Sequence, residues 1–104
     1  MKWELEENNM SKGYWVVKAK IKDLREYSKY IKKATLVVDK FDGSFLIRGG
    51  MQKEKEEIGF ERTVVVEFSS YNKALGCYES TEYQNALRHV KKSANRIFTI
   101  VKGI

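Results

Sequence analysis

Residues 13–43 read GYWVVKAKIKDLREYSKYIKKATLVVDKFDG, and this stretch decides the fold because the spacing of its apolar residues changes partway along. From Gly13 to Ile21 apolar and polar residues alternate, which predicts a strand whose core face carries Trp15, Val17, Ala19 and Ile21. Asp23 then offers an N-cap, and Glu26 three residues later completes a capping box. The helix that follows has apolar residues at steps of three and four, namely Leu24, Tyr27, Ile31, Ala34, Val38 and Phe41.

The turn at Asp42-Gly43 ends this helix and leads into the second half of the fold. The predicted elements beyond it are, in chain order, a strand at 44–50, an exposed charged connection at 51–60, a strand at 62–68, a helical region capped by Ser69 or Ser70 and restarted at Ser80, and a strand at 97–101. The complete order is βαββαβ, which indicates an α+β fold of the ferredoxin-like type.

Right-handed crossovers in this order predict a four-stranded antiparallel sheet with the helices on one face. The other face is left uncovered, although many of its predicted side chains are apolar: Tyr14, Val16, Leu46, Val65 and one of Phe98 and Ile100. Apolar patches of this kind mark interaction surfaces. We therefore expect two copies to close sheet against sheet into a homodimeric α/β barrel whose interior holds Lys18, Arg48 and Glu67.

Length and composition fit one domain, because 104 residues of which 42% are hydrophobic build a single core. We expect a single ferredoxin-like domain over residues 13–104, preceded by a flexible N-terminal extension at residues 1–12, which are polar and acidic. The single cysteine excludes an internal disulfide, and the N-terminus carries neither a secretory signal nor a membrane span. The sequence thus predicts a cytoplasmic protein with no membrane partner.

The formal net charge of +6 raises the question of a nucleic-acid partner, since clustered Lys and Arg release counterions from phosphates. The lysines of the first helix, however, fall on its outer side, as on a solvated surface. The open face of the third strand also offers Thr63, Val65 and Glu67 in place of the aromatic residues on which RNA bases stack. Nucleic-acid binding is therefore disfavoured.

Four strings of the sequence, taken together, resemble a known family. They are GYW at 13–15, FLIRGG at 45–50, ERTVVVEF at 61–68 and CYESTEYQ at 77–84. In this order they are similar to the small bacterial family called domain of unknown function 1330, from Met10 to Gly103. The resemblance implies a dimeric α/β-barrel fold and no established activity. Its fold relatives include cofactor-free monooxygenases, haem-degrading enzymes, lactone isomerases and ligand-sensing modules, so the fold does not choose a function.

The resemblance also points to individual residues, which are Arg48, Arg62, Glu67, Tyr78, Ser80, Glu82 and Tyr83. Arg48 and Glu67 form the predicted catalytic pair, because a guanidinium and a carboxylate inside a closed sheet must pair or serve a ligand. In the functional interpretation Arg48 anchors a carboxylate or enolate oxygen and Glu67 acts as general base. In the structural interpretation the two form an ion pair that holds the dimer together. The predicted ligand-binding residues are Tyr14, Lys18, Arg48, Arg62, Tyr78 and Tyr83.

Two further residues are interpreted structurally. His89 is the only histidine, has no second imidazole for a metal site, and is expected to be a solvated helix residue. Cys77 is expected to be a buried, inert thiol. The sequence thus indicates no metal site and no cofactor.

Two functions remain open. In the first, a pocket inside the dimer barrel binds a small anionic or carbonyl-bearing molecule. Whether Glu67 also catalyses a cofactor-independent reaction there is left open. In the second, the barrel interior is packed solid and the chain is a non-catalytic interaction or ligand-sensing module.

Overall fold

The computed structural model describes residues 11–104. Its elements are β1 (Gly13–Ile21), α1 (Leu24–Lys40), β2 (Ser44–Arg48), β3 (Arg62–Phe68), α2 (Tyr71–Glu79), α3 (Thr81–Ser93) and β4 (Ala94–Lys102). The predicted flexible extension lies outside the described residues except for Ser11 and Lys12. Ser11 is buried, and the backbone N–H of Gly103 donates to the Lys12 carbonyl at 2.8 Å, so these two residues are held against the end of β4.

The four strands form one antiparallel sheet in the order β2-β3-β1-β4. This is the ferredoxin-like α+β arrangement, and it confirms the predicted fold class. The helix face of the sheet, which carries Trp15 and Val17, packs against the helices. The open face, which carries Tyr14 and Val16, has none of the helices of residues 11–104 against it.

Side-chain caps fix where each helix begins. Asp23 accepts from the N–H of Glu26 at 3.1 Å, and Ser70 and Ser80 accept in the same way from Lys73 and Tyr83. The predicted caps are therefore confirmed. The capping box is not completed, because the Glu26 carboxylate turns to His89 on α3 and not back to the cap.

The core lies between the helices and the helix face. Trp15 is 2% exposed and its indole N–H donates to the Ala74 carbonyl of α2 at 2.9 Å. The rings of Phe68, Tyr83 and Phe98 lie within 5.1 Å of Trp15, centroid to centroid. An aromatic cluster therefore joins the sheet to α2 and α3.

The last strand differs from the prediction, because it begins at Ala94 and not at Ile97. Its pairing with β1 places Phe98 opposite Val17 and Ile97 opposite Lys18. Phe98 and Ile100 consequently pack into the core, whereas Ile97 and Val101 lie on the open face. The expectation that Phe98 or Ile100 lies on the open face is wrong.

Within residues 11–104, none of the helices has both the length and the apolar character needed to cross a membrane.

Candidate functional site

A cavity of about 30 Å³ lies between α1 and the helix face of the sheet. Its walls are mostly apolar or aromatic and come from α1 and the first three strands, for example Val17, Tyr27, Val38, Phe45 and Val66. Three arginines also line it, namely Arg48, Arg62 and Arg96. Among residues 11–104, no Asp or Glu side chain lines the cavity. Positive charge is thus concentrated in an otherwise apolar space.

The register of the sheet brings two of the arginines together. Arg62 on β3 and Arg96 on β4 pair with the same residue of β1, Ala19, from opposite sides. Ala19 is 1% exposed and faces the helices, so both arginines project from the helix face. A small residue between them leaves room for the two long side chains.

Arg96 is held by two tyrosine hydroxyls. One guanidinium nitrogen donates to Tyr30 Oη at 3.0 Å and the other to Tyr83 Oη at 3.2 Å. The guanidinium also lies over the rings of Tyr30 and Phe98. Burial acts to lower the pKa of Arg96, but Tyr30 and Tyr83 outweigh it and leave the pKa above its usual value. Arg96 therefore remains charged at the floor of the cavity.

Tyr30 and Tyr83 are bonded to each other, with 2.6 Å between their hydroxyl oxygens. Tyr30 lines the cavity, whereas Tyr83 is fully buried behind it. Burial, followed by the proximity of Tyr30, raises the pKa of Tyr83, so its hydroxyl keeps its proton.

Arg62 has a buried Nε–H for which residues 11–104 provide no hydrogen-bond partner. Its guanidinium passes close to the backbone at Gly49, where an added Cβ would stand 2.7 Å from Nη1. Gly49 also has a φ of 75°, a conformation that favours glycine. Gly49 of the RGG string therefore allows the Arg62 side chain to lie against the end of β2.

Arg48 lies on the helix face because β2 contains a bulge. The pairing with β3 shifts between Phe45 and Ile47, which adds a residue and reverses the alternation beyond it. Arg48 consequently donates to the Thr35 hydroxyl on α1 and lies 4.2 Å from the ring centroid of Phe45. The prediction that Arg48 and Glu67 share the interior of a dimer barrel is therefore wrong.

Glu67 lies on the open face with Tyr14 and Lys18. The Tyr14 hydroxyl donates to Glu67 at 3.0 Å, and this hydrogen bond raises the pKa of Tyr14. Lys12 lies 3.7 Å from the same carboxylate. Lys18 is half-buried on this face, opposite Thr63. The structure thus separates the predicted ligand-binding residues into two groups on opposite faces of the sheet.

Tyr78 and Tyr83, the other predicted ligand-binding residues, belong to the aromatic core. Tyr78 packs edge-on against Trp15 and at 4.9 Å from Phe98, and it does not line the cavity. Tyr83 does not line the cavity either, but it is hydrogen-bonded to two residues that do, Tyr30 and Arg96.

His89 is not the solvated residue that was expected. Its side chain is 16% exposed, and Nδ1 lies 2.5 Å from a carboxylate oxygen of Glu26 on α1. Cys77 is fully buried, and burial raises the pKa of its thiol to about 12, which confirms the expectation of a buried thiol. Among residues 11–104 no three His, Cys, Asp or Glu side chains cluster as metal ligands would.

Tyr30 and Arg96 were missed by the sequence interpretation, although both carry a signal. Tyr30 stands three residues after Tyr27 and four before Ala34, so it lies on the apolar stripe of α1. Arg96, Phe98 and Ile100 follow one another at steps of two residues. A last strand that begins at residue 94 therefore places all three on the same face of the sheet.

Comparison with solved structures shows the same fold in distant proteins. A protein of unknown function from Rhodopseudomonas palustris, RPA0582, has a TM-score of 0.74 at 10% identity, covering 99% of this chain and 90% of that one. A dimeric protein of unknown function and ferredoxin-like fold from Bacteroides fragilis has a TM-score of 0.60 at 10% identity, covering 88% and 95%. SnoaB, a cofactor-independent oxygenase from Streptomyces nogalater, has a TM-score of 0.58 at 5% identity, covering 88% and 91%. At such identities the likeness concerns the fold alone.

Comparison with curated proteins gives no match. The family model described as Domain of unknown function (DUF1330) matches residues 12–104, which include all seven helices and strands described above. The chain therefore belongs to the DUF1330 family.

Proposed function

We propose that this protein binds a small anionic molecule whose headgroup enters the cavity between α1 and the sheet. The observation that carries the proposal is the set of three guanidiniums in a mostly apolar cavity that no carboxylate of residues 11–104 lines. A guanidinium that is taken out of water needs an acceptor, and residues 11–104 give the buried Nε–H of Arg62 none. An anion supplies it.

The size of the cavity bears on what kind of molecule fits. A volume of about 30 Å³ holds a group of a few atoms and not a whole metabolite. Arg48 is the exposed arginine of the lining, and Thr35 and Phe45 beside it are half-exposed. The remainder of the molecule would therefore extend outward past Arg48, along an aromatic and aliphatic wall.

This location differs from the barrel interior that the sequence suggested. The anionic ligand and the anchoring role of Arg48 are retained, but the pocket lies on the helix face. Glu67 cannot act on a ligand there, because it faces the other side of the sheet. A role for Glu67 as general base stays a prediction that concerns the open face only.

We also propose that the chain is a homodimer in which two open faces meet. Apolar side chains of β1, β2 and β4 are exposed on this face: Val16 at 37%, Ile47 at 46%, Ile97 at 52% and Val101 at 44%. The similar protein from Bacteroides fragilis is described as dimeric. Burying these side chains against a second copy removes apolar area from water.

Calorimetric titration with benzoate tests the ligand proposal, with acetate and salicylate as further probes. We expect saturable binding of one anion per chain, and Arg62→Met should weaken it about tenfold or more, the change that a hydrogen bond to a charged group is worth. Arg88→Met is the matched control, because Arg88 is exposed on α3 and bonds only to the Asn85 carbonyl among residues 11–104. Failure of all three anions to bind, or equal binding by Arg62→Met, would contradict the proposal and favour the interaction module.

A further inference from the structure

The hydroxyl hydrogens of Tyr30 and Tyr83 can be assigned by counting donors and acceptors. Arg96 donates to both oxygens, and the two oxygens lie 2.6 Å apart. Each hydroxyl has one hydrogen, and only one of the two hydrogens can occupy the bond between them. The other hydrogen must find an acceptor elsewhere.

Burial decides which hydrogen is left over. Tyr83 is 0% exposed, and the only side-chain hydrogen bonds of its hydroxyl within residues 11–104 are those to Tyr30 and Arg96. If Tyr30 donated to Tyr83, the hydrogen of Tyr83 would be buried without an acceptor, which is disfavoured. Tyr83 therefore donates to Tyr30. The hydrogen of Tyr30, which lines the cavity, is left free to point into it.

The other polar groups of the lining, except Thr35, are donors as well. Arg62 presents its Nε–H, which has no hydrogen-bond partner within the described part of the chain. Thr35 already donates to the Ile31 carbonyl at 2.7 Å and accepts from Arg48, so its hydrogen is occupied. Burial raises the pKa of Tyr27, which thus keeps its hydroxyl hydrogen. The cavity consequently offers several N–H and O–H donors.

We propose that Tyr30 donates its hydroxyl hydrogen to the headgroup of the bound molecule, and that this headgroup is a carboxylate. A carboxylate has two oxygens that only accept hydrogen bonds, so it satisfies the guanidiniums and the hydroxyl together. A carboxamide of the same shape would direct an N–H₂ group at these donors. The inference rests on the proposed function, because it names the ligand class and a further binding residue of the same cavity.

The first test compares isosteres on the unaltered protein. We expect benzamide and benzyl alcohol to bind at least about tenfold more weakly than benzoate in calorimetric titrations, since they lack the charge and the second acceptor. Equal affinity of benzamide and benzoate would overturn the assignment of a carboxylate.

The second test removes the donor. Tyr30→Phe should weaken benzoate binding about tenfold, whereas Tyr78→Phe, a half-buried tyrosine outside the cavity, should leave it within about twofold. Tyr83→Phe distinguishes direct binding by Tyr30 from an indirect effect through the position of Arg96. It removes one of the hydroxyls that hold Arg96 but leaves the Tyr30 hydroxyl in place. We expect it to weaken binding less than Tyr30→Phe. Equal losses in these two variants would mean that Tyr30 acts only through Arg96.

The outcomes also separate this inference from the proposal beneath it. Benzoate binding that depends on Arg62 but is unchanged in Tyr30→Phe would overturn the role of Tyr30 and keep the anion site. Absence of benzoate binding to the unaltered protein would overturn both.

Discussion

Gly13 and Gly76 differ in the space that is available for a side chain. A Cβ at Gly13 would stand 2.5 Å from the Ser70 carbonyl oxygen and 2.6 Å from the Cα of Tyr71, because β1 begins against the N-terminus of α2. A Cβ at Gly76, inside α2, would meet nothing closer than Phe41 at 3.9 Å. The first position needs glycine for packing, and the second does not.

Substituting alanine at the two glycines should therefore change stability in opposite directions. Gly13→Ala should lower the free energy of unfolding by about 1–3 kcal/mol, because backbone atoms must move. Gly76→Ala should raise it by about 0.5–1 kcal/mol, because alanine loses less backbone entropy in a helix. Urea unfolding followed by far-UV circular dichroism measures both. A neutral Gly13→Ala would show that the close approach of β1 and α2 is not fixed.

Single residues were predicted unevenly from the sequence. The caps at Asp23, Ser70 and Ser80 were predictable because a cap depends on residues a few positions apart. The face of Arg48 was not, because it depends on a bulge, and a bulge arises from pairing with another strand.

At the scale of elements, α1 and α3 are joined by a hydrogen bond between the side chains of Glu26 and His89. The Glu26 carboxylate lies 2.5 Å from His89 Nδ1 and 3.3 Å from Lys29 Nζ. The hydrogen bond from His89, followed by Lys29, lowers the pKa of Glu26 below its usual value of 4.5. The Glu26 carboxylate, which in a capping box would accept from the backbone N–H of the N-cap residue, accepts from His89 instead.

This lowered pKa predicts a pH dependence of stability. A carboxyl group with a depressed pKa in the folded state stabilises the protein above its unfolded pKa, and this contribution is lost as pH falls through the folded value. As the pH falls below 4.5, the unaltered protein should therefore lose more stability than Glu26→Gln does. Urea unfolding of both proteins across this range measures the difference.

The matched control is Glu79→Gln. Glu79 is exposed at the end of α2 and has no side-chain hydrogen bond or ion pair within residues 11–104. It should follow the acid dependence of the unaltered protein. Identical acid dependence in Glu26→Gln would show that the hydrogen bond between Glu26 and His89 does not couple α1 to α3.

The order of elements was predictable because each has a local period, two for the strands and three to four for the helices. The start of β4 at Ala94 was not, because α3 ends at Ser93 and its last turn runs directly into the strand. That boundary depends on the pairing of Ala94 with Ile21.

For the whole molecule, the open face gives a prediction about assembly. Val16 lies at its centre between Val65 and Thr99. Val16→Asp places a carboxylate in the proposed interface and should convert a dimer into a 12.2 kDa monomer. Native mass spectrometry measures the mass.

Leu36→Asp is the control for this variant, because Leu36 is 71% exposed on α1, away from the open face. It should remain a dimer. An unaltered protein that is monomeric at micromolar concentration would contradict the proposed interface.

The cavity belongs to the whole molecule, because its three arginines come from three strands. Arg48, Arg62 and Arg96 converge through the order β2-β3-β1-β4, and Arg62 and Arg96 meet at Ala19 although they are 34 positions apart in the sequence. The sequence interpretation included the first two of these arginines but assigned Arg48 to the opposite face. The inclusion of Arg96 and the face of Arg48 depend on the register between strands that are distant in the sequence, and no local pattern contains that register.

The arginine Nε–H region of a ¹H–¹⁵N correlation spectrum, recorded during benzoate titration, tests most directly whether the anion enters the layer between α1 and the sheet. We expect the Arg62 Nε–H resonance to shift progressively to saturation, while that of exposed Arg88 stays in place. Backbone amide shifts in the same spectrum that are confined to residues of the open face, such as Tyr14 and Lys18, with the Arg62 Nε–H unmoved, would contradict the account.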